Sequence, residues 1–292
     1  MSVTARVPAT SANLGPGFDA LALALGLYDE VDVTLAAGGL HVDITGEGSQ
    51  TLPRGEEHLV VRALRATFDR LGGQPGGLAI RCRNAIPQGR GLGSSAAAIV
   101  AGVVAARALS GPTGAERLDE AATLHLCADL EGHPDNVAGC LLGGLTVVWA
   151  EPGGARSVRL PVAVDAAIAL VPPFESSTAE VRGLLPPSVP HADAAANAGR
   201  AALLTEALGR RPDLLLPATA DWLHQSYRAA AMPASAALVT GLRAAGIAAL
   251  VSGAGPTVLA LGPGVESVVA PTGWRLLRLP VDRTGATVTE WE

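Results

Sequence analysis

Fifteen residues from Ser95 to Leu109, SAAAIVAGVVAARAL, carry a single charge, on Arg107. A run this apolar on every side is predicted as one well-buried helix. It follows directly on the turn PQGRGLGS, so the stretch Pro87–Ala98 feeds a glycine-rich loop into a helix start. Gly89, Gly91 and Gly93 let the backbone come close to a ligand. A helix N-terminus preceded by glycines offers unpaired N–H groups and the positive end of the helix dipole, which together suit phosphate. The same residues also suit a tight turn with a serine helix cap, and the rest of the chain has to decide between the two.

Composition narrows the choice. The chain has 292 residues, comfortable for two domains, and 49% hydrophobic against 16% charged residues supports a sizeable core. A net charge of −6 argues against non-specific nucleic-acid binding. No apolar run reaches membrane-spanning length free of Gly, Pro or charge, outside Ala-rich stretches that read as core helices. The N-terminus, MSVTARVPATSANLG, lacks an apolar signal core, so a cytoplasmic protein is expected. Cys82, Cys127 and Cys140 are odd in number and widely spaced, which fits reduced, buried thiols better than disulfides or a zinc site. The 21 basic residues are all arginine. The absence of lysine excludes a P-loop, a Schiff-base lysine and a protein-kinase-type lysine. A phosphate site here must work through backbone N–H groups, Ser or Thr, Arg or a metal.

Alternation at Val31, Val33 and Leu35 and again at Leu40, Val42 and Ile44 predicts two strands joined as a hairpin. Leu59, Ala63, Leu64, Phe68 and Leu71 follow helical spacing, with Gly72 as the stop. Leu78–Arg83 reads as a strand, Glu116–Leu130 as a helix, and Leu145–Ala150 as a strand. Glu151-Pro-Gly-Gly is the candidate linker. Beyond it Ala167–Val171 is strand-like, helices fit Ala192–Leu208, Asp213–Ala231 and Ala234–Ala245, and Ile247–Val251 and Val258–Leu261 are strands about a Gly-rich turn. Trp274 and Trp291 read as packing residues. The expectation is an α+β protein of two domains, residues 1–152 and 153–292.

Three further stretches concentrate polar residues. PATSANLGPGFDALALAL, Pro8–Leu25, holds Asn13 and Asp19 in loop chemistry; both residues also suit turn capping. LEGHPDNVAGCLLGG, Leu130–Gly144, offers Glu131, His133, Asp135 and Asn136, with Asp129 just before. One carboxylate plus phosphate oxygens would suit Mg²⁺. Asp129 and Glu131 lie two apart and, on a helix, should not both reach one ion. VSGAGPTVLAL, Val251–Leu261, is a second Gly-rich turn, able to line a ligand or only to serve a hairpin. A Ser-His-Asp hydrolase is disfavoured: LGSSA has no glycine two residues after either serine.

Together these stretches resemble a known family. GRGLGSSAAA is similar to the phosphate motif of the galactokinase, homoserine kinase, mevalonate kinase and phosphomevalonate kinase (GHMP) superfamily. PATSANLGPGFD and EGHPDNVA resemble its homoserine kinase branch, and SGAGPT is similar to the superfamily's C-terminal motif. The likeness runs from Val3 to about Leu261 with the motifs in order. It implies a ribosomal-protein-S5-like N-terminal domain carrying the ATP loop, a ferredoxin-like C-terminal domain, and a site between them. The implied reaction is ATP- and Mg²⁺-dependent phosphorylation of the L-homoserine hydroxyl, in threonine biosynthesis. Relatives are often homodimers.

Carried over residue by residue, Pro87, Gln88, Gly89, Arg90, Gly91, Leu92, Gly93, Ser94, Ser95, Ala96 and Ala97 would wrap the ATP phosphates, and Ser95 would join Glu131 on Mg²⁺. Asn13 and Asp19 match positions near the substrate amino group; His133, Asp135 and Asn136 match positions around the amino acid and its hydroxyl. Arg182, with Thr178 in a Thr-x-x-x-Arg pattern, and Arg228 are expected on the carboxylate, where bidentate geometry favours arginine. Asn136 stands where some relatives have a proposed catalytic Asp and cannot take a proton. With Asp135 beside it, catalysis is expected to rely on positioning instead of a strong base. The alternatives are a sister kinase acting on a mevalonate-like acid or a sugar, and a non-catalytic ligand sensor, which loss of Glu131 or of the glycines would favour.

Overall fold

The computed structural model describes residues 1–291. Two sheets organise the chain. The first has seven strands: β1 (Ser2–Ala12), β2 (Leu21–Ala36), β3 (Gly39–Gly46), β4 (Gly77–Asn84), β5 (Leu145–Glu151), β6 (Gly154–Leu160) and β11 (Thr287–Trp291). Its order is β11-β1-β2-β4-β3, with β5 on the free end of β2 and β6 beyond β5. The second sheet has β7 (Ala166–Val171), β8 (Ala248–Val251), β9 (Val258–Leu261) and β10 (Arg275–Pro280), in the order β10-β7-β9-β8. The helices are α1 (Leu59–Leu71), α2 (Ser94–Leu109), α3 (Gly111–Arg117), α4 (Glu120–Glu131), α5 (Asp135–Leu142), α6 (Thr178–Arg182), α7 (His191–Gly209), α8 (Leu215–Ala218), α9 (Gln225–Arg228) and α10 (Pro233–Ala244). None of the described helices is long and apolar enough to cross a membrane.

The apolar run is indeed a single helix. α2 lies against β1 with α1, α4 and α5 around it. Ile99, Val100, Val103 and Leu109 are buried on it, each contributing on the order of 1.5–3 kcal/mol by leaving water. Gly102 lets α1 approach closely: a Cβ there would meet the Ala63 side chain and the Val60 carbonyl.

Four local expectations give way. The strands at 31–35 and 40–44 form, but not as a hairpin. β4 inserts between them, antiparallel to β2 and parallel to β3, because α1 carries the chain over the sheet. Alternation reports a half-buried strand, not its partner. The stretch Glu151-Pro-Gly-Gly is no linker: it turns the β5–β6 hairpin, in which Glu151 faces Gly154. The helix expected over 116–130 breaks into α3 and α4, because Asp119 caps the Ala122 N–H at 2.8 Å and restarts the helix. The helix expected over 213–231 breaks likewise. Asp221 accepts from the N–H groups of Leu223 (2.9 Å), His224 (3.2 Å) and Gln225 (2.7 Å), a local alternative to helical bonding.

The C-terminal residues close both sheets. Trp274 packs edge-on against Phe174, whereas Trp291 is exposed and donates to Thr4.

Candidate functional site

The loop Asn13–Ala20 between β1 and β2 is shorter than the sequence suggested, since Pro8–Ala12 belongs to β1. Three of its non-glycine residues have left-handed backbones: Asn13 (φ 68°), Leu14 (φ 50°) and Asp19 (φ 54°). Asn and Asp tolerate that region; a leucine there is strained and is held by burial. Asn13 clamps the loop. Its Nδ2 donates to the Gly253 carbonyl (2.9 Å) and its Oδ1 accepts from the Asp19 N–H (2.9 Å).

The glycine loop precedes α2 with Gly89, Gly91 and Gly93 all left-handed (φ 61°, 77° and 73°). Gly93 stands at the N-cap and no side chain among the described residues caps the helix. The first intrahelical bond at this end joins the Ala97 N–H to the Gly93 carbonyl, so the N–H groups of Ser94, Ser95 and Ala96 open the helix without helical partners. The side chains of Leu92, Ala96 and Ala97 are buried in the core, which leaves those residues only their backbone to offer. The loop is packed on the turn after β8: the Ser252 hydroxyl donates to the Gly91 carbonyl at 2.6 Å, and a Cβ on Gly91 would strike the carbonyls of Ser252 and Gly255. Arg90 ties the loop to the segment before α6, donating to the carbonyls of Pro172 (3.2 Å) and Pro173 (3.3 Å) and to Glu175 (3.1 Å).

A cavity of about 280 Å³ joins these pieces. Ser94, Ser95, Glu131, His133, Asp135, Asn136, Thr178, Arg182, Arg228, Asn13 and the loop residues Gln88, Gly89, Arg90, Gly91 and Gly93 line it. Pro87, Leu92, Ala96 and Ala97 do not face it, and Asp19 reaches it through Arg182. At one wall the Ser95 hydroxyl donates to Glu131 Oε1 at 2.5 Å. Burial pushes the Glu131 carboxyl above its ordinary range, against the Ser95 bond. Asp129 points elsewhere and pairs with His125 at 3.5 Å, so the two-residue spacing does separate the carboxylates. His133 Nδ1 sits 3.3 Å from Asp135 Oδ1. This is a charge contact without aligned hydrogen-bond geometry, and the Asp135 carboxylate raises the imidazole's affinity for a proton.

Asn136 accepts the Thr10 hydroxyl at 2.7 Å through Oδ1. Its amide nitrogen is thereby the end it presents elsewhere, as a donor.

At the opposite wall Arg182 holds Asp19 in a fork, 2.8 and 2.7 Å, which raises the guanidinium's affinity for its proton. Arg228 is buried without a counter-ion among the described residues; burial, and then the nearby Arg182, lower its pKa. Thr10, Phe18 and His224 belong to the site and were not foreseen. The only trace of His224 in the sequence is its spacing of four from Arg228, one helical turn.

A second hollow of about 220 Å³ adjoins the first, sharing Leu59, Gln88 and Ser94. Leu52, Pro53, His58 and Asp29 also line it. Asp29 is buried and accepts the N–H groups of Ala85 (2.7 Å) and Ile86 (2.9 Å), both through Oδ1. Burial pushes its carboxyl from 3.8 up to about 6. A carboxyl whose pKa rises on folding holds extra protons in the native state between those values, so its contribution to stability falls as pH rises from 4 to 6. Asp29→Asn keeps the accepting oxygen and removes the charge. It is expected to stabilise the protein by roughly 2–3 kcal/mol at pH 7 and not at all at pH 3.5. Urea unfolding of both proteins at the two pH values checks this.

The comparisons with known proteins agree with one another. The family model described as the GHMP kinases N terminal domain matches residues 58–144, and that for the GHMP kinases C terminal matches residues 194–268. The homoserine kinase of Streptomyces coelicolor is 62% identical, over 98% of this chain and 94% of that one; the homoserine kinase of Streptomyces avermitilis is 61% identical, over 98% and 95%. The crystal structure of homoserine kinase from Cytophaga hutchinsonii superposes with a TM-score of 0.83 at 28% identity, covering 99% of this chain and 97% of that one.

Proposed function

The chain belongs to the homoserine kinases of the GHMP family, and from that premise we propose how its cleft phosphorylates the hydroxyl of L-homoserine with ATP. One observation carries the reading. A single 280 Å³ cavity has a bare helix N-terminus on one side and, on the other, the charges a zwitterion needs.

The phosphates of ATP lie on the N–H groups of Ser94–Ala96, where the helix dipole does the work of the missing lysine. The adjoining 220 Å³ hollow takes the nucleoside. Ser95 and Glu131 fit Mg²⁺: a half-buried carboxylate bonded only to a hydroxyl among the described residues is the small oxygen donor set that ion accepts while keeping phosphate and water ligands. When bound, Mg²⁺ neutralises charge on the phosphate oxygens. Among the described residues no three His, Cys, Asp or Glu side chains converge as a metal cage.

Homoserine enters opposite. Asp19 faces the amino group, and Arg182 and Arg228 the carboxylate. Asp19 and Arg182 neutralise each other in the free protein, and a zwitterion offers each a replacement partner of the same sign as the one it loses. Thr178 borders this wall. His133 and Asp135 flank the reacting hydroxyl. Asn136, its oxygen held by Thr10, donates through nitrogen and orients that hydroxyl without removing its proton. Transfer through a loose transition state needs alignment more than a base.

A sister kinase for a mevalonate-like acid or a sugar is not favoured, since Asp19 would then face no amine. The test is a coupled ATP assay with homoserine, threonine, serine and mevalonate as acceptors, on the wild type and on Asp135→Asn. Homoserine is expected to be turned over fastest, and the variant to lose less than about a hundredfold in kcat, the lower range of general-base effects. Turnover of mevalonate in place of homoserine refutes the acceptor. Loss of all turnover in Asp135→Asn with both substrates still bound refutes catalysis without a base.

A further inference from the structure

Arg228 raises a problem of its own. A guanidinium 2% exposed needs something to hold it, yet no carboxylate among the described residues does. Its hydrogen bonds among the described residues both run from Nη1: to His224 Nδ1 at 3.3 Å and to the Gly253 carbonyl at 3.5 Å. Nε is buried with no hydrogen-bond partner among the described residues. The free Nε–Nη2 edge is the one a carboxylate takes in bidentate fashion.

The state of His224 follows from its neighbours. Its Nε2 lies 2.9 Å from the Gly15 carbonyl, which can only accept. Nε2 therefore carries the hydrogen. Arg228 can only donate, so Nδ1 presents its lone pair. The ring is fully buried and neutral by this arrangement; desolvation also lowers its proton affinity, against the Asp221 carboxylate 3.7 Å from Nε2. It stacks on Phe18, with centroids 5.2 Å apart and planes at 28°. The guanidinium carbons of Arg182 and Arg228 stand 5.5 and 5.3 Å from the Phe18 centroid. Gly15 and Phe18 belong to the same loop as Asn13 and Asp19.

We propose that His224 is a positioning residue for the acceptor's carboxylate: its neutral imidazole anchors Arg228 through Nδ1 and the Asn13–Ala20 loop through Nε2, so that the guanidinium is held at the cavity wall with bonding capacity to spare. The proposal rests on the reading of Arg228 as a carboxylate ligand. Holding a long side chain before the substrate arrives removes an ordering cost from binding. The Phe18–His224 stack gives both arginines one rigid neighbour, and the ring face tempers their mutual repulsion.

Two isosteric variants separate the ring's two bonds. In His224→Asn the amide oxygen can take the place of Nδ1 and keep Arg228 anchored while the Gly15 bond is lost. In His224→Gln the amide nitrogen reaches the place of Nε2 and keeps Gly15 while Arg228 is released. The readouts are KM for homoserine, KM for ATP, turnover of L-homoserine amide, and melting temperature.

His224→Gln is expected to raise the homoserine KM about tenfold, and His224→Asn less than about threefold, the scale of one charge-assisted hydrogen bond. The ATP KM and the amide kinetics should stay level across the pair, and both variants should lose similar stability. An equal homoserine KM in the two variants, or a KM that merely tracks the loss of melting temperature, overturns the role of His224. Arg228→Gln separates this from failure of the underlying reading. It should raise the KM for homoserine far more than that for the amide. If it moves neither, Arg228 is not the carboxylate ligand, and the proposal falls with that reading.

Discussion

Glu131→Gln is expected to lower kcat by about 10²–10³-fold while the protein stays at least as stable at neutral pH. The two halves come from one fact. Glu131 is a half-buried carboxyl whose pKa desolvation has raised, with one hydrogen bond among the described residues, to Ser95. Such a group is disfavoured by folding once it ionises: stability falls as pH rises from its unfolded pKa through its folded one. An amide of the same shape can still accept from Ser95 and removes the charge, so thermal unfolding at pH 7 should show no loss. The activity loss has a different origin, because an amide is a poor ligand for a hard divalent cation. Titrating Mg²⁺ should show a much weaker dependence, while nucleotide binding without the metal persists. Unchanged kcat would remove Glu131 from the metal; a collapsed melting temperature would make its role structural.

Gly93→Ala is expected to abolish most activity and to lower the melting temperature by about 5–10 °C. The left-handed backbone (φ 73°) costs an L-residue about 1–2 kcal/mol, and in a chain of this size each 1 kcal/mol moves melting by a few degrees. Sterics add to this. A Cβ at Gly93 would overlap the Thr10 hydroxyl and lie 3.1 Å from Asn136 Oδ1. It would therefore break the Thr10–Asn136 bond that turns the Asn136 amide, and shift the first turn of α2. A Thr10→Ala change removes the colliding oxygen. Adding it to Gly93→Ala should restore part of the lost stability, a non-additivity that a double-mutant cycle detects. Strict additivity would leave only the backbone term.

The parts of the fold that could be read directly are those where one local signal has one meaning. The smooth run after Gly93 could only be a buried helix. Gly72, at φ 104°, ends α1 as its position suggested. Misreadings arose where one signal serves two structures. Pro and Gly at 152–154 suit a linker and a hairpin turn equally, and only the pairing of β5 with β6 separates them. Alternation over Val31–Ile44 is the same whether the two strands are neighbours or a third lies between. Asp221 sat inside a helical pattern, and its side chain won the competition for the backbone.

The site divides along the same line. By itself the sequence determined that any phosphate site would have to work without lysine, and it offered a glycine-flanked helix start, a carboxylate cluster and several arginines. Backbone dihedrals and helix periodicity are written within a few residues, so their meaning survives without a fold. Tertiary structure alone decided the partners. Asp19 meets Arg182 across 163 positions of chain, Thr10 fixes the face that Asn136 shows, and His224 holds Arg228 with one edge free. Those assignments depend on which loops close onto which, and on how much water is left between them. Burial then sets the charge each group keeps.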